Sequence, residues 1–333
     1  MTRKSKSMGF LAAFGLAVLL VAEGGFAEDR RPAASGVKQK QIDDATLEKL
    51  LKTQRVEETE VRVVLLPTSV TDSKGRNVKG LQQADFRLFE DSHLQQIRFF
   101  SSQYDDPVAI AFLLDVSGSM RQFDKLGHAK EAIRFFVDQL RDGDLFALIC
   151  FADRQVSWVT EFTDDREWFL KRLMVQDGYG QTALHDAVAA APRLVDDKIK
   201  GRKAIVMITD GIDNYSQLDI DRAVDVARRT NVPIYTIGFT SVSEEMLPKE
   251  SRGTDLEILR YVSNETGGQI FSVQDPEELK EAVLVVDEEL RHQYLIGYNP
   301  PWERADGRFH TLRVVTENKG HRVRTRTGYY ASP

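Results

Sequence analysis

Two hydrophobic rhythms alternate along the chain. Between 105 and 291, continuous apolar runs recur: "VAIAFLLD" from Val108, "LFALICF" from Leu145, "KAIVMIT" from Lys203 and "VPIYTIGF" from Val232. Runs of this kind are strands covered on both faces. Between them lie segments with helical spacing. Leu126, Ala129, Ile133, Phe136, Val137 and Leu140 form one apolar stripe, the mark of a helix packed on a core. The same spacing predicts helices in "DREWFLKRL", in "TALHDAVAAAPRLVDD" with a kink at Pro192, and in "DIDRAVDVARRT". Two more follow, "DLEILRYVSNET" ended by Gly267-Gly268 and "PEELKEAVLVVDEELR" opened by Pro276. "GQIFSV" closes the set of strands, and the alternating "QVSWVTEF" predicts an antiparallel edge strand. Strand and helix in alternation predict an α/β fold with a doubly wound, mostly parallel sheet over 105–291.

On either side the rhythm shortens to period two. In 56–104, "VEETEVRVVLLPTSVTDSKGRNV" predicts a β-hairpin turning at Ser73-Lys74-Gly75, followed by short strands in "DFRLFED" and "QQIRFFSS". In 292–331, "QYLIGYNP", "FHTLRVVTE" and "HRVRTRTGYY" have the same character. A few short strands are marginal in water by themselves. The two flanks are therefore expected to form one small all-β domain, with the α/β domain inserted into it. Residues 28–55 are a polar leader, with a short helix expected over 43–54 from Leu47, Leu50 and Leu51.

The first 27 residues stand apart. Arg3, Lys4 and Lys6 precede an apolar stretch from Met8 to Ala22, and Gly25-Phe26-Ala27 puts small residues at both positions before a cleavage point. That is the layout of a secretory signal peptide, and it predicts a secreted or periplasmic protein with no membrane span after cleavage; an uncleaved anchor is the alternative. Removing 1–27 takes away those three basic residues and Glu23, leaving 42 Lys and Arg against 50 Asp and Glu, a formal −8. An acidic balance argues against a nucleic-acid partner and suits a protein that holds cations. The single cysteine, Cys150, has no partner for an internal disulfide and lies in an apolar run, as a buried structural thiol does.

The chemistry gathers at strand ends. In open α/β sheets, ligands bind outside the carboxyl ends of the strands. "VAIAFLLD" ends at Asp115, and Ser117 and Ser119 follow at alternate positions; "GYGQTALHDA" brings Thr182 to the start of a helix; "MITDGIDN" leaves a strand with Thr209 and Asp210. Together they offer two carboxylates and several hydroxyls. Such an all-oxygen set suits a hard cation such as Mg²⁺, and no His or Cys cluster favours zinc. The competing reading is that Asp115, Ser117 and Ser119 cap the helix that follows.

Asp115-x-Ser117-x-Ser119, with Thr182 and Thr209-Asp210-Gly211 downstream in that order, resembles the metal-ion-dependent adhesion site of a von Willebrand factor type A domain. The flanking "TDSKGRNVKGLQQADFRLFEDSHLQQIRFF" and "YLIGYNPPWERADGRFHTLRV" resemble the surroundings of that domain in bacterial secreted "VWFA-related" proteins. The resemblance implies Asp115, Ser117, Ser119, Thr182 and Asp210 as metal ligands, direct or through water. It implies Mg²⁺ as the ion, with Mn²⁺ or Ca²⁺ as alternatives, and a partner protein that offers an Asp or Glu to the open coordination position.

Other residues carry blander expectations. Asp213 and Asn214 are expected as loop or cap residues, His185 as a packed helix residue, Asp124 as a solvated acid, and Trp158 and Trp168 as core. The loop 240–255 is expected as a surface insertion. The expected function is a secreted, metal-dependent protein-binding module and not an enzyme. Two alternatives compete: a hydrolase using the ion as Lewis acid, for which no motif supplies a nucleophile, and an envelope protein with a vestigial site.

Overall fold

The computed structural model describes residues 63–102, 106–199, 201–239, 254–300 and 306–331. The expected signal peptide, leader helix and most of the 240–255 loop lie outside them. At the centre is a six-stranded sheet built from β5 (Ala109–Asp115), β6 (Leu145–Ala152), β7 (Gln155–Thr163), β8 (Lys203–Thr209), β9 (Ile234–Phe239) and β10 (Ile270–Val273), in the order β10-β9-β8-β5-β6-β7. All neighbours are parallel except β7, which pairs antiparallel with β6 at the edge.

Side-chain alternation along β5 feeds two cores. Ile110, Phe112 and Leu114 point into one, packed with α1 (Lys125–Gln139), α2 (Arg166–Met174) and α6 (Pro276–His292). Ala111 and Leu113 point into the other, packed with α3 (Leu184–Asp196), α4 (Ile220–Ala227) and α5 (Thr254–Thr266). Every residue of β5 is buried, which is why its sequence is apolar without a break. Cys150 is a buried free thiol in β6. Helix starts follow from their caps: Asp165, Asp219 and Asp275 each accept backbone N–H groups of the first turn of α2, α4 and α6. Helix α3 carries Pro192 within its span. One detail differs from expectation: Trp168 is more than a third exposed, while Trp158 is core.

The flanks supply two antiparallel sheets. One has the order β13-β1-β11-β4, from β1 (Val64–Thr71), β4 (Phe99–Ser101), β11 (Tyr294–Tyr298) and β13 (Arg322–Arg324). The other has the order β14-β12-β2-β3, from β2 (Phe86–Glu90), β3 (His93–Gln95), β12 (Phe309–Thr316) and β14 (Gly328–Tyr330). Leu66, Leu88, Tyr294, Ile296 and Val314 share one core between them. The hairpin expected within 56–104 is corrected here. After the turn at Asp72–Arg76 the chain makes a single bridge, Thr71 with Asn77. The long partners of β1 are β11 and β13, more than 200 residues away in sequence.

Where the flanks meet the α/β layer, Glu289 on α6 is the common acceptor. It takes hydrogen bonds from the Ser69 hydroxyl (2.7 Å), the Tyr235 hydroxyl (2.6 Å) and the Arg324 guanidinium. Two residues further along the same helix, Arg291 pairs with Asp144 and Asp287. Asp144 also accepts the backbone N–H groups of Val108 and Arg141.

Candidate metal centre

Strands β5 and β8 are neighbours whose chain connections leave toward opposite sides of the sheet. This switch point opens a crevice at their carboxyl ends, and Asp115 and Thr209-Asp210 are the residues that emerge there.

Asp115 is completely buried. Its Oδ1 accepts the backbone N–H of Ser117 (2.8 Å), and its Oδ2 accepts the Thr209 hydroxyl (2.6 Å). Burial pushes its carboxyl up to about 6 against the pull of those bonds, and the Asp210 charge adds to the rise. Ser117 holds the cap position of the 3₁₀ segment Gly118–Asp124 but makes no capping bond with its side chain. Its hydroxyl lies 3.0 Å from that of Ser119. The helix-capping alternative therefore fails for Ser117, and the two hydroxyls converge instead.

Asp210 is the odd member. Its Oδ2 accepts Lys125 Nζ at 3.0 Å, and its Oδ1 is buried with no hydrogen-bond partner. A buried carboxylate oxygen left without a donor costs free energy unless something fills its lone pairs. Thr182, also buried, is placed through a neighbouring loop. Its backbone N–H donates to Asn214 Oδ1, and its carbonyl accepts the N–H groups of Asn214 and Tyr215.

Two further contacts lock the loops. The Gly118 N–H donates to the Gly180 carbonyl at 3.1 Å, a spacing that a Cβ on Gly118 would crowd. Gly211, with φ at +81°, turns the chain sharply away after Asp210, and its N–H donates to the Thr209 hydroxyl. The hydrogen bonds thus join Asp115 directly to the end of β8, Ser117 and Ser119 to it through Asp115, and Thr182 to the loop that follows β8.

Thr209, Asp213, Asn214 and Lys125 are the site's less visible members. Helix α3 has no side-chain cap of its own; Asp213 caps it from another loop, accepting from Leu184 and His185 N–H and from the Ser216 hydroxyl. Asp213 and Asn214 are loop braces, as expected from sequence, and His185 packs with Nδ1 against the Leu218 carbonyl. Asp124 is exposed. The sequence carried a signal for Thr209, a hydroxyl at a strand end, but none for a lysine reaching back from α1.

Among the described residues no group of three or more His, Cys, Asp or Glu side chains is placed to hold a metal. The donor set here is of another kind: two carboxylates, one of them with an orphaned oxygen, and two converging hydroxyls. It fits a hard, oxygen-seeking cation and does not fit a soft one.

An open α/β sheet with buried carboxylates and hydroxyls at its switch point belongs to the doubly wound class. The von Willebrand factor type A domain profile matches residues 109–284, more than half of the chain. The chain belongs to that family, whose domains typically mediate protein–protein adhesion. An uncharacterized protein of Borreliella burgdorferi is 31% identical over 185 residues, which is 50% of this chain and 54% of that protein. The chain thus spans about half the length of that relative. Among solved structures, a von Willebrand factor type A protein from Catenulispora acidiphila is 15% identical with a TM-score of 0.48, covering 83% of this chain and 65% of that one. Proximal thread matrix protein 1 of the mussel byssus, with a zinc-occupied MIDAS motif, is 18% identical with a TM-score of 0.47, covering 60% and 49% of the two chains.

Proposed function

We propose that this protein is a secreted, metal-dependent protein-binding module, with Asp115, Ser117, Ser119, Thr182 and Asp210 as the residues that hold the ion. The observation that carries the reading is the convergence of the Ser117 and Ser119 hydroxyls, together with a partnerless buried Oδ1 on Asp210 at the end of the neighbouring strand. When bound, a divalent ion such as Mg²⁺ would supply a Lewis-acidic point able to accept a carboxylate from outside. The chain's own part is to hold neutral oxygens in place with few charges. Asp115 spends both oxygens on Ser117 and Thr209, so it steadies the serine loop as well as contributing charge.

The rim suggests what surrounds the partner's carboxylate. Phe123, Tyr179, Ile212 and Tyr215 lie on the same three loops, and all are exposed. Phe123 is 80% exposed and sits at φ +55°, a left-handed conformation unusual for a bulky residue. The partner that fits is a protein segment with an Asp or Glu beside apolar or aromatic side chains. Export rests on the N-terminal signal pattern, and among the described residues no helix is long and apolar enough to cross a membrane.

Titration calorimetry with Mg²⁺ and Mn²⁺ tests the ligand set. Asp115→Ala and Asp210→Ala are expected to lose measurable binding, and Ser119→Ala to weaken it less, because a carboxylate contributes charge as well as a ligand. Equal affinities in all four proteins would sink the proposed ligand set.

A further inference from the structure

Lys125 occupies the first helical position of α1, after Asp124 at the cap. A cation there opposes the helix dipole, whose positive end favours Asp or Glu. Something must compensate for the placement, and the contact is specific: Nζ lies 3.0 Å from Asp210 Oδ2, with the lysine side chain 15% exposed and the aspartate 2%. The pair spans two elements, α1 and the loop after β8, and it engages one carboxylate oxygen while the other stays buried and unpartnered. If the ammonium served only to neutralise a structural aspartate, the second oxygen would still need a donor. Its orphan state points to a division of labour within one carboxylate.

We infer that Lys125 is a built-in cation of the metal centre: it holds Oδ2 of Asp210 permanently and reserves Oδ1 for the divalent ion. This rests on the metal-site reading above. The arrangement has two consequences. Without an ion, the lysine keeps a buried carboxylate compensated, so the loops stay in place. With an ion, the lysine and the metal share the charge of Asp210. Asp115 is then the only carboxylate of the set whose charge is not shared with a lysine. The ion binds more weakly than in a site without the lysine and keeps a stronger demand for an external carboxylate. Lys125 is thus a positioning residue that trades ion affinity for ligand affinity.

The test uses the full chain with Mg²⁺ as the probe. Lys125→Met keeps the length of the stem and removes the charge, and Lys125→Gln guards against misfolding of the first variant. Lys171→Met, on the surface of α2 and paired with Glu167, makes the same change in net charge away from the crevice. By calorimetry, both Lys125 variants are expected to bind Mg²⁺ about tenfold more tightly or better, since a like charge beside the ion is gone, and Lys171→Met is expected to match wild type. In EDTA, both Lys125 variants should melt below wild type; in saturating Mg²⁺ the deficit should close. Unchanged or weaker Mg²⁺ binding by the Lys125 variants would overturn the inference while leaving the metal site standing, and so would equal tightening in Lys171→Met. A wild type that neither binds Mg²⁺ nor melts differently in EDTA would instead bring down the metal-site reading, and the inference with it.

Discussion

Thr209 shows how much one hydroxyl can organise. It donates to the buried Oδ2 of Asp115 and accepts the N–H of Gly211, so it joins the ends of β5 and β8 at the point where both leave the sheet. Replacing it with valine keeps the shape and leaves a buried acceptor without its donor. That should lower stability by about 1–3 kcal/mol in urea unfolding, and Thr209→Ser should recover most of the loss. A neutral Thr209→Val would mean that water replaces the hydroxyl. At this scale the sequence was legible in part. Asp115, Ser117 and Ser119 announce themselves because their alternation puts three oxygens on one side of a turn. Lys125 does not, because what it touches lies 85 residues away, and nothing in a local pattern encodes that distance.

Among the elements, the buried strands were the easiest to read and the short flanking strands the hardest. A strand covered on both faces must be apolar throughout, so β5, β6, β8 and β9 stand out in the sequence. A short half-exposed strand gives only an alternation, which says nothing of its partner; hence β1 looked like half of a hairpin. One polar cluster now explains how the second flank is pinned. His310 in β12 contacts Asp91 through Nδ1 (2.7 Å) and Asp306 through Nε2 (3.0 Å), and Asp91 also accepts from Thr311. Burial acts to lower the imidazolium's pKa, but the two carboxylates outweigh it and raise His310 above its ordinary 6.5. For Asp91, burial acts upward, and the bonds from His310 and Thr311 hold it down at about 2, below its ordinary 3.8. The raised histidine stabilises the fold below about pH 6.5 and loses its contribution as pH rises through its folded value. The depressed aspartate stabilises above 3.8 and loses its contribution as pH falls toward 2. The melting-temperature gap between wild type and His310→Gln should therefore be widest between those limits and shrink on both sides. A gap independent of pH would show that the cluster is not ionic.

Across the whole molecule, the α/β sheet is continuous in sequence and the β sheets are not. Strand β1 needs β11 and β13, and β2 needs β12, so neither flank can complete a sheet without the other. We propose residues 56–104 and 292–331 as one domain on these grounds. A fragment of 105–291 should fold cooperatively by itself, while 56–104 alone should show no cooperative transition; a folded 56–104 fragment would contradict the division. The Glu289 cluster lies where α6 meets both flanks, so the fragment should be less stable than the full chain as Ser69 and Arg324 are lost.

The central claim is that the crevice between β5 and β8 holds a divalent ion, and a thermal melt tests it most directly. Binding to the native state alone stabilises by mass action, on the order of 2.7 kcal/mol at a hundredfold excess over the dissociation constant. Wild type should melt higher in saturating Mg²⁺ than in EDTA, and Asp115→Ala, with unchanged far-ultraviolet circular dichroism, should show no difference between the two. An equal Mg²⁺-dependent shift in both proteins would place the ion elsewhere and contradict the account.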